Sequence, residues 1–67
     1  MTGYDGNEYQ VGDRVELHPA TDLWMMGARY GEVVGSSLTR NDRVKVRLDR
    51  RPNRLFSGSE DTFRRVD

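Results

Sequence analysis

Apolar and charged residues alternate without a break through residues 43–49, and this alternation constrains the fold more than any other feature of the sequence. Three aliphatic side chains fall on one face of an extended segment: Val44, Val46 and Leu48. Four charged side chains fall on the other: Arg43, Lys45, Arg47 and Asp49. A repeat of two residues is typical of a β-strand with one buried and one exposed face. The segment therefore predicts a strand that packs its aliphatic face against a core.

Four other short segments have the composition or the alternation of strands: residues 11–17, 29–35, 54–57 and 63–66. Residues 18–28 predict a long loop that contains one helical turn, which Thr21 or Asp22 caps and Gly27 ends. Residues 59–62 predict a second helical turn just before the last strand. Five short strands with these connections predict an all-β fold, a small barrel whose closure protects the edges of its sheet.

The length and composition of the chain exclude several classes of protein. A chain of 67 residues forms one domain at most, and we expect residues 1–7 to be a flexible N-terminal leader and residues 8–67 to form the barrel. The absence of cysteine and the single histidine, His18, exclude disulfides and metal sites built on thiolates or several imidazoles. No apolar run approaches the roughly 20 residues that cross a bilayer, so we expect a cytoplasmic protein without a membrane partner. We also expect no enzyme, no cofactor and no small-molecule substrate, because the sequence contains neither a nucleophile–base pair nor a phosphate-binding glycine loop.

Two stretches of the sequence resemble the KOW-type opening of SH3-like barrels. Residues 11–15 read VGDRV, and after a loop residues 27–34 read GARYGEVV. Residues 59–63, SEDTF, resemble the short helical turn and the last strand of that fold. The resemblance covers residues 9–66 and implies a five-stranded SH3-like small barrel with one long early loop and a short helical turn before the last strand. The chain is also similar to small proteins of high-GC bacteria and their phages, a likeness that implies no specific activity. SH3-like barrels bind DNA, RNA, peptides or methylated side chains, so the fold by itself implies no single function.

Charge is unevenly distributed along a chain whose net charge is zero. Residues 1–39 hold two bases and six acids, whereas residues 40–67 hold nine bases and five acids. Alternate residues of a strand are roughly 7 Å apart, which suits contact with successive phosphates of a nucleic acid. The alternative is a solvent-exposed face whose bases pair with Glu16 and Glu32 on neighbouring strands. The candidate nucleic-acid-binding residues are Arg43, Lys45, Arg47, Arg50, Arg51 and Arg54.

The apolar residues 23–26, Leu-Trp-Met-Met, form a second candidate surface. Tryptophan and methionine are enriched at binding surfaces, so Trp24, Met25 and Tyr30, joined by Tyr9, are candidates for a platform that binds a peptide, a base or a cation. The alternative is that Leu23 and Trp24 fold back against the core and close one end of the barrel, which leaves Met25 or Met26 exposed.

The sequence therefore supports two hypotheses. The first is a non-enzymatic module that binds the phosphate backbone of a nucleic acid with low sequence specificity through the basic strand face. The second is a protein–protein interaction or assembly module that uses the apolar residues 23–26. The uneven charge favours the first hypothesis, and the neutral total charge is the strongest point against it.

Overall fold

The computed structural model describes residues 1–36, 43–50 and 53–66 of the chain, and this part forms one antiparallel β-sheet. The strands are β1 (Arg14–Leu17), β2 (Tyr30–Ser36), β3 (Arg43–Leu48), β4 (Leu55–Ser59) and β5 (Phe63–Arg65). They lie in the order β4-β3-β2-β1-β5. The prediction of an all-β fold with five strands is confirmed.

The two helical turns that the sequence predicts are both present. Helix α1 (Asp22–Met25) lies in the loop between β1 and β2, where the Thr21 hydroxyl accepts a hydrogen bond from the Trp24 N–H at 3.3 Å. Gly27 follows it with φ +93°, a left-handed conformation that glycine adopts without steric cost. A 3₁₀ turn (Glu60–Thr62) connects β4 to β5.

In the described part of the chain, no helix is long and apolar enough to cross a membrane.

The sheet is curled, because a short connection joins its two outermost strands. The first and last of five strands in a flat sheet lie about 19 Å apart. Three residues separate the end of β4 at Ser59 from the start of β5 at Phe63, and the four Cα-to-Cα steps between these two residues span at most about 14 Å. The ring centroids of Phe56 on β4 and Phe63 on β5 are 5.9 Å apart, which shows that the two edges approach each other around the core.

The core fills the inside of this curled sheet. Alternate residues of each strand point inward, as the alternation in the sequence predicts, and Val44, Val46 and Leu48 are all buried. Tyr9 is buried with them, and its hydroxyl donates a hydrogen bond to the Glu60 carbonyl oxygen at 2.6 Å. The remaining buried core residues are Val15, Leu17, Ala28, Val33 and Phe63.

The two glycines of β2 serve different purposes. A Cβ on Gly31 would lie 2.6 Å from a Val46 methyl carbon and 2.7 Å from the Arg47 carbonyl oxygen, so β2 approaches β3 more closely than a side chain allows. Gly35 lies at a bulge, where the register between β2 and β3 shifts between Val33 and Gly35. Glycine inside a strand is typical of a bulge or of close backbone approach, and β2 contains one example of each.

Residues 1–7, which the sequence assigns to a flexible leader, pack against the barrel in this structure. The Tyr4 N–H donates a hydrogen bond to the Phe63 carbonyl oxygen at 3.1 Å, and Tyr9 N–H donates one to the Met1 carbonyl oxygen at 2.9 Å. Gly3 is buried so closely against β5 that a Cβ would lie 2.7 Å from the Phe63 carbonyl oxygen. These contacts are made by backbone atoms and leave no apolar pattern in the sequence of residues 1–7, so the sequence does not predict them.

Candidate functional site

The outer face of β3 carries three basic side chains, Arg43, Lys45 and Arg47, which we call the β3 basic row. Lys45 and Arg47 are exposed and Arg43 is half-buried. The register places Lys45 between Gly35 on β2 and Ser57 on β4, so its lateral neighbours are small. In the described part of the chain, no acidic group lies within 4 Å of any base in the row.

The alternative pairing, in which Glu16 and Glu32 neutralise the bases of β3, is present only in part. Glu32 lies opposite Arg47 on one side and opposite Arg14 on the other, so it is a lateral neighbour of one member of the row without forming an ion pair with it. Glu16 lies opposite Arg64 of β5. The acidic neighbours thus reach the Arg47 end of the row, whereas Lys45 has none opposite it.

Glu16 is the centre of a polar cluster on the same outer face, at the β1–β5 edge of the sheet. Its carboxylate accepts a hydrogen bond from the Tyr4 hydroxyl at 3.1 Å and another from Arg64 Nε at 2.9 Å. Partial burial acts to raise the pKa of Glu16, but the hydrogen bonds from Arg64 and Tyr4 outweigh it and hold this pKa below its usual value. The cluster ties the N-terminal segment to β1 and β5.

Arg14 and Asp49 form an ion pair across the outer face of β2. The guanidinium carbon of Arg14 lies 5.7 Å from the centre of the Tyr30 ring, and hydrogen bonding to Asp49 raises the pKa of Arg14. An open groove of about 460 Å³ runs beside this pair and is also lined by Glu32 and Arg47. Tyr30 is 38% exposed, and the arginine that stacks on it is already paired.

The remaining predicted bases do not extend the row in a straight line. Arg50 turns toward the end of α1, where its guanidinium carbon lies 3.9 Å from the place that a Cβ on Gly27 would occupy. Arg54 lines a hollow beside Leu55 and Phe56. Arg51 lies outside the described residues.

The apolar residues of α1 divide between the core and the surface. Leu23 and Trp24 are half-buried and pack against the core, as the alternative interpretation predicts, and the Arg29 guanidinium carbon lies 4.8 Å from the centre of the Trp24 ring. Met25 and Met26 are 80% and 62% exposed. The proposed contribution of Tyr9 to an aromatic platform is wrong, because this side chain is almost wholly buried.

His18 has structural contacts. Its Nδ1 accepts a hydrogen bond from the Ala20 N–H at 3.0 Å, and its ring meets that of Tyr4 edge-on with centroids 4.7 Å apart. Within residues 1–36, 43–50 and 53–66, no three histidine, aspartate or glutamate side chains are grouped so that they could hold a metal ion.

Leu55, at the start of β4, is 53% exposed and is not among the candidate residues that the sequence predicts. The sequence contains a signal for this exposure: two consecutive apolar residues in a strand point to opposite faces, so Leu55 and Phe56 do not both face the core.

No family model, curated protein or solved structure matches this chain.

Proposed function

We propose that this protein is a non-enzymatic module that binds the phosphate backbone of a nucleic acid through the β3 basic row. The main support for this proposal is that the bases of the outer face differ in whether they contact a carboxylate. Arg14 and Arg64 each contact a carboxylate, whereas Arg43, Lys45 and Arg47 contact none among the described residues. An unpaired base keeps its full charge available to a ligand.

The neighbours of Lys45 support this proposal sterically. Gly35 and Ser57 flank it on the two adjacent strands, and Ser59 lies opposite Arg43. Small side chains leave room for a phosphate to approach the ammonium group, and the Ser57 hydroxyl is placed to donate a hydrogen bond to a phosphate oxygen, whereas the Ser59 hydroxyl already donates to Asp61 at 2.7 Å. The row therefore offers charge and hydrogen-bond donors at a spacing of roughly 7 Å.

The chemistry of the row predicts weak binding with little dependence on sequence. Contacts to phosphates do not distinguish one nucleotide sequence from another. We therefore expect dissociation constants of about 10⁻⁴ to 10⁻⁶ M at physiological salt. Three phosphate contacts predict a plot of log K against log salt with a slope of about −2.7 for duplex DNA and about −2 for a single strand.

Fluorescence anisotropy with labelled DNA and RNA, each as duplex and as single strand, tests this proposal over a series of salt concentrations. Lys45→Gln should weaken binding and reduce the salt slope by about one phosphate contact. Arg14→Gln is the matched control, because it removes the same charge from a base that is already paired. Equal losses in the two variants would mean that net charge, and not the row, controls binding.

An NMR titration at low salt locates the contact independently. The amide signals of β3 should shift on addition of nucleic acid, and those of β5 should not. If no nucleic acid shifts any amide of β3 at low salt, the proposal is wrong.

A further inference from the structure

An apolar groove lies at the end of the barrel beside α1 and is not used by the β3 basic row. It consists of two adjoining hollows of about 170 and 520 Å³, which share Leu23 and Phe56 as common walls. Leu48, Leu55 and Arg54 complete the smaller hollow. Ala20, Thr21 and Asp22 complete the larger one. The groove is thus lined by apolar side chains and open to solvent.

Exposed apolar side chains lie in and near this groove. Leu55 lines the smaller hollow and is 53% exposed. Met25 and Met26, 80% and 62% exposed, lie at the end of the helical turn that contributes Leu23. Exposed apolar side chains beside a groove are typical of docking sites, and methionine adapts its shape to different partners.

One basic side chain lines the groove and two more lie close to α1. Arg54 lines the smaller hollow, Arg50 lies beside Gly27 at the end of α1, and Arg29 covers the Trp24 ring. None of the three forms an ion pair with a described acidic residue. Among the described residues, Asp22 is the one acid that lines either hollow. Three bases without an ion pair, against this one acid, make the α1 end of the barrel positively charged, which selects for a negatively charged occupant.

We infer that this groove docks an acidic, amphipathic peptide segment of a partner protein. Its apolar side chains enter the two hollows on either side of Leu23 and Phe56, and its carboxylates contact Arg54 and Arg50. Arginine holds a carboxylate through two parallel hydrogen bonds, so these contacts fix the orientation of the peptide while the apolar contacts supply affinity. The inference does not depend on the β3 basic row, which binds by charge alone.

Selection from a random displayed peptide library of roughly 12 residues, about the length of a segment that fills such a groove, tests the inference on the full chain. We expect the enriched peptides to be net negative and to contain at least two large apolar residues. Synthetic copies of these peptides should lose about tenfold or more in affinity for Arg54→Glu and for Leu55→Ser. Both positions are exposed, so neither substitution is expected to unfold the protein.

Lys45→Glu is the control, because it makes the same charge change at an exposed base of the β3 basic row whose cross-strand neighbours, Gly35 and Ser57, line neither hollow. It should leave peptide affinity unchanged. A library that yields no enriched peptide, or yields neutral or basic ones, overturns the inference, as does equal loss of affinity in Lys45→Glu and Arg54→Glu. A dimer in sedimentation equilibrium that Leu55→Ser dissociates would assign the groove to a second copy of the chain and also overturn it.

Discussion

The outer face of the sheet has two halves that use charge differently. On β1 and β5, Glu16 and Arg64 form a hydrogen-bonded ion pair, and Arg14 reaches across β2 to Asp49. On β3, Arg43 and Lys45 have small residues opposite them and no carboxylate within 4 Å in the described chain. The two halves are made of the same residue types on the same sheet, so residue type alone does not decide their roles.

The paired half makes contacts that stabilise the fold, and the unpaired half is the one for which we propose a ligand. Glu16 holds Tyr4 and Arg64 together, and its carboxylate side chain is only 12% exposed. Removing such a buried acceptor leaves its donors without partners, which costs stability. An exposed base without a partner contributes little to folding, so substituting it tests binding without a large change in stability.

The largest expected effect comes from the strand that separates the two halves. Gly31→Ala places a methyl group 2.6 Å from a Val46 side-chain carbon and 2.7 Å from the Arg47 carbonyl oxygen, and β3 must move to accommodate it. We expect the free energy of unfolding to fall by about 2–3 kcal/mol, the upper range for overpacking a core. Urea denaturation measures this change.

Gly35→Ala is the control for this substitution. It lies four residues along the same strand, its φ is not positive, and a Cβ there meets no atom within 4 Å. It should change the free energy of unfolding by less than about 1 kcal/mol. If both alanine variants unfold at the same urea concentration, β2 does not approach β3 as closely as the structure indicates.

The strands, the loop and both helical turns could be predicted because each depends on local information. Val44, Val46 and Leu48 give the period of a strand, and Thr21 and Gly27 give the cap and the end of α1. The packing of residues 1–7 on β5 could not be predicted, since it depends on backbone hydrogen bonds between residues about 60 positions apart. Pairing of strands likewise depends on the whole sheet.

The candidate site was predictable only in part, for the same reason. The alternation identifies Lys45 and Arg47 as outward-facing, but which acids stand beside them follows from the register of β2 and β4. The sequence offered Glu16 as a partner for the bases of β3, and the register gives it to Arg64 instead. Arg50 and Arg54 follow β3 closely in sequence, yet the turn carries them toward α1.

An intermediate effect is expected at the centre of the paired half. Glu16→Gln keeps the shape of the side chain and removes the charge that Arg64 and Tyr4 contact. We expect the free energy of unfolding to fall by about 1–2 kcal/mol at neutral pH, as charge-assisted hydrogen bonds become neutral ones. Glu32→Gln, an exposed acid on β2 without an ion pair in the described chain, should change it by less than about 0.5 kcal/mol.

The pH dependence of stability separates the charge of Glu16 from its shape. The folded pKa of Glu16 is lowered, so its ionised form stabilises the protein above the unfolded pKa of about 4.3, and this contribution is lost as the pH falls through the folded pKa. Urea denaturation from about pH 7 to about pH 3 should show Glu16→Gln converging on the natural protein at the acid end. A stability difference that stays constant over this range would mean that the charge of Glu16 is not what holds Arg64 and Tyr4.

The smallest expected effect on stability is in the β3 basic row. This prediction distinguishes most clearly between the paired and the unpaired half of the outer face. Lys45→Gln should change the free energy of unfolding by less than about 0.5 kcal/mol, because the ammonium group pairs with no acid among the residues that the structure describes. Arg14→Gln removes the partner of Asp49 and should lower the melting temperature slightly, by an amount that shrinks as salt is added. The order reverses for binding, where Lys45→Gln loses affinity for nucleic acid and Arg14→Gln does not. A variant of Lys45 that lost stability and kept its nucleic-acid affinity would place this lysine with the paired half and leave the row without a function.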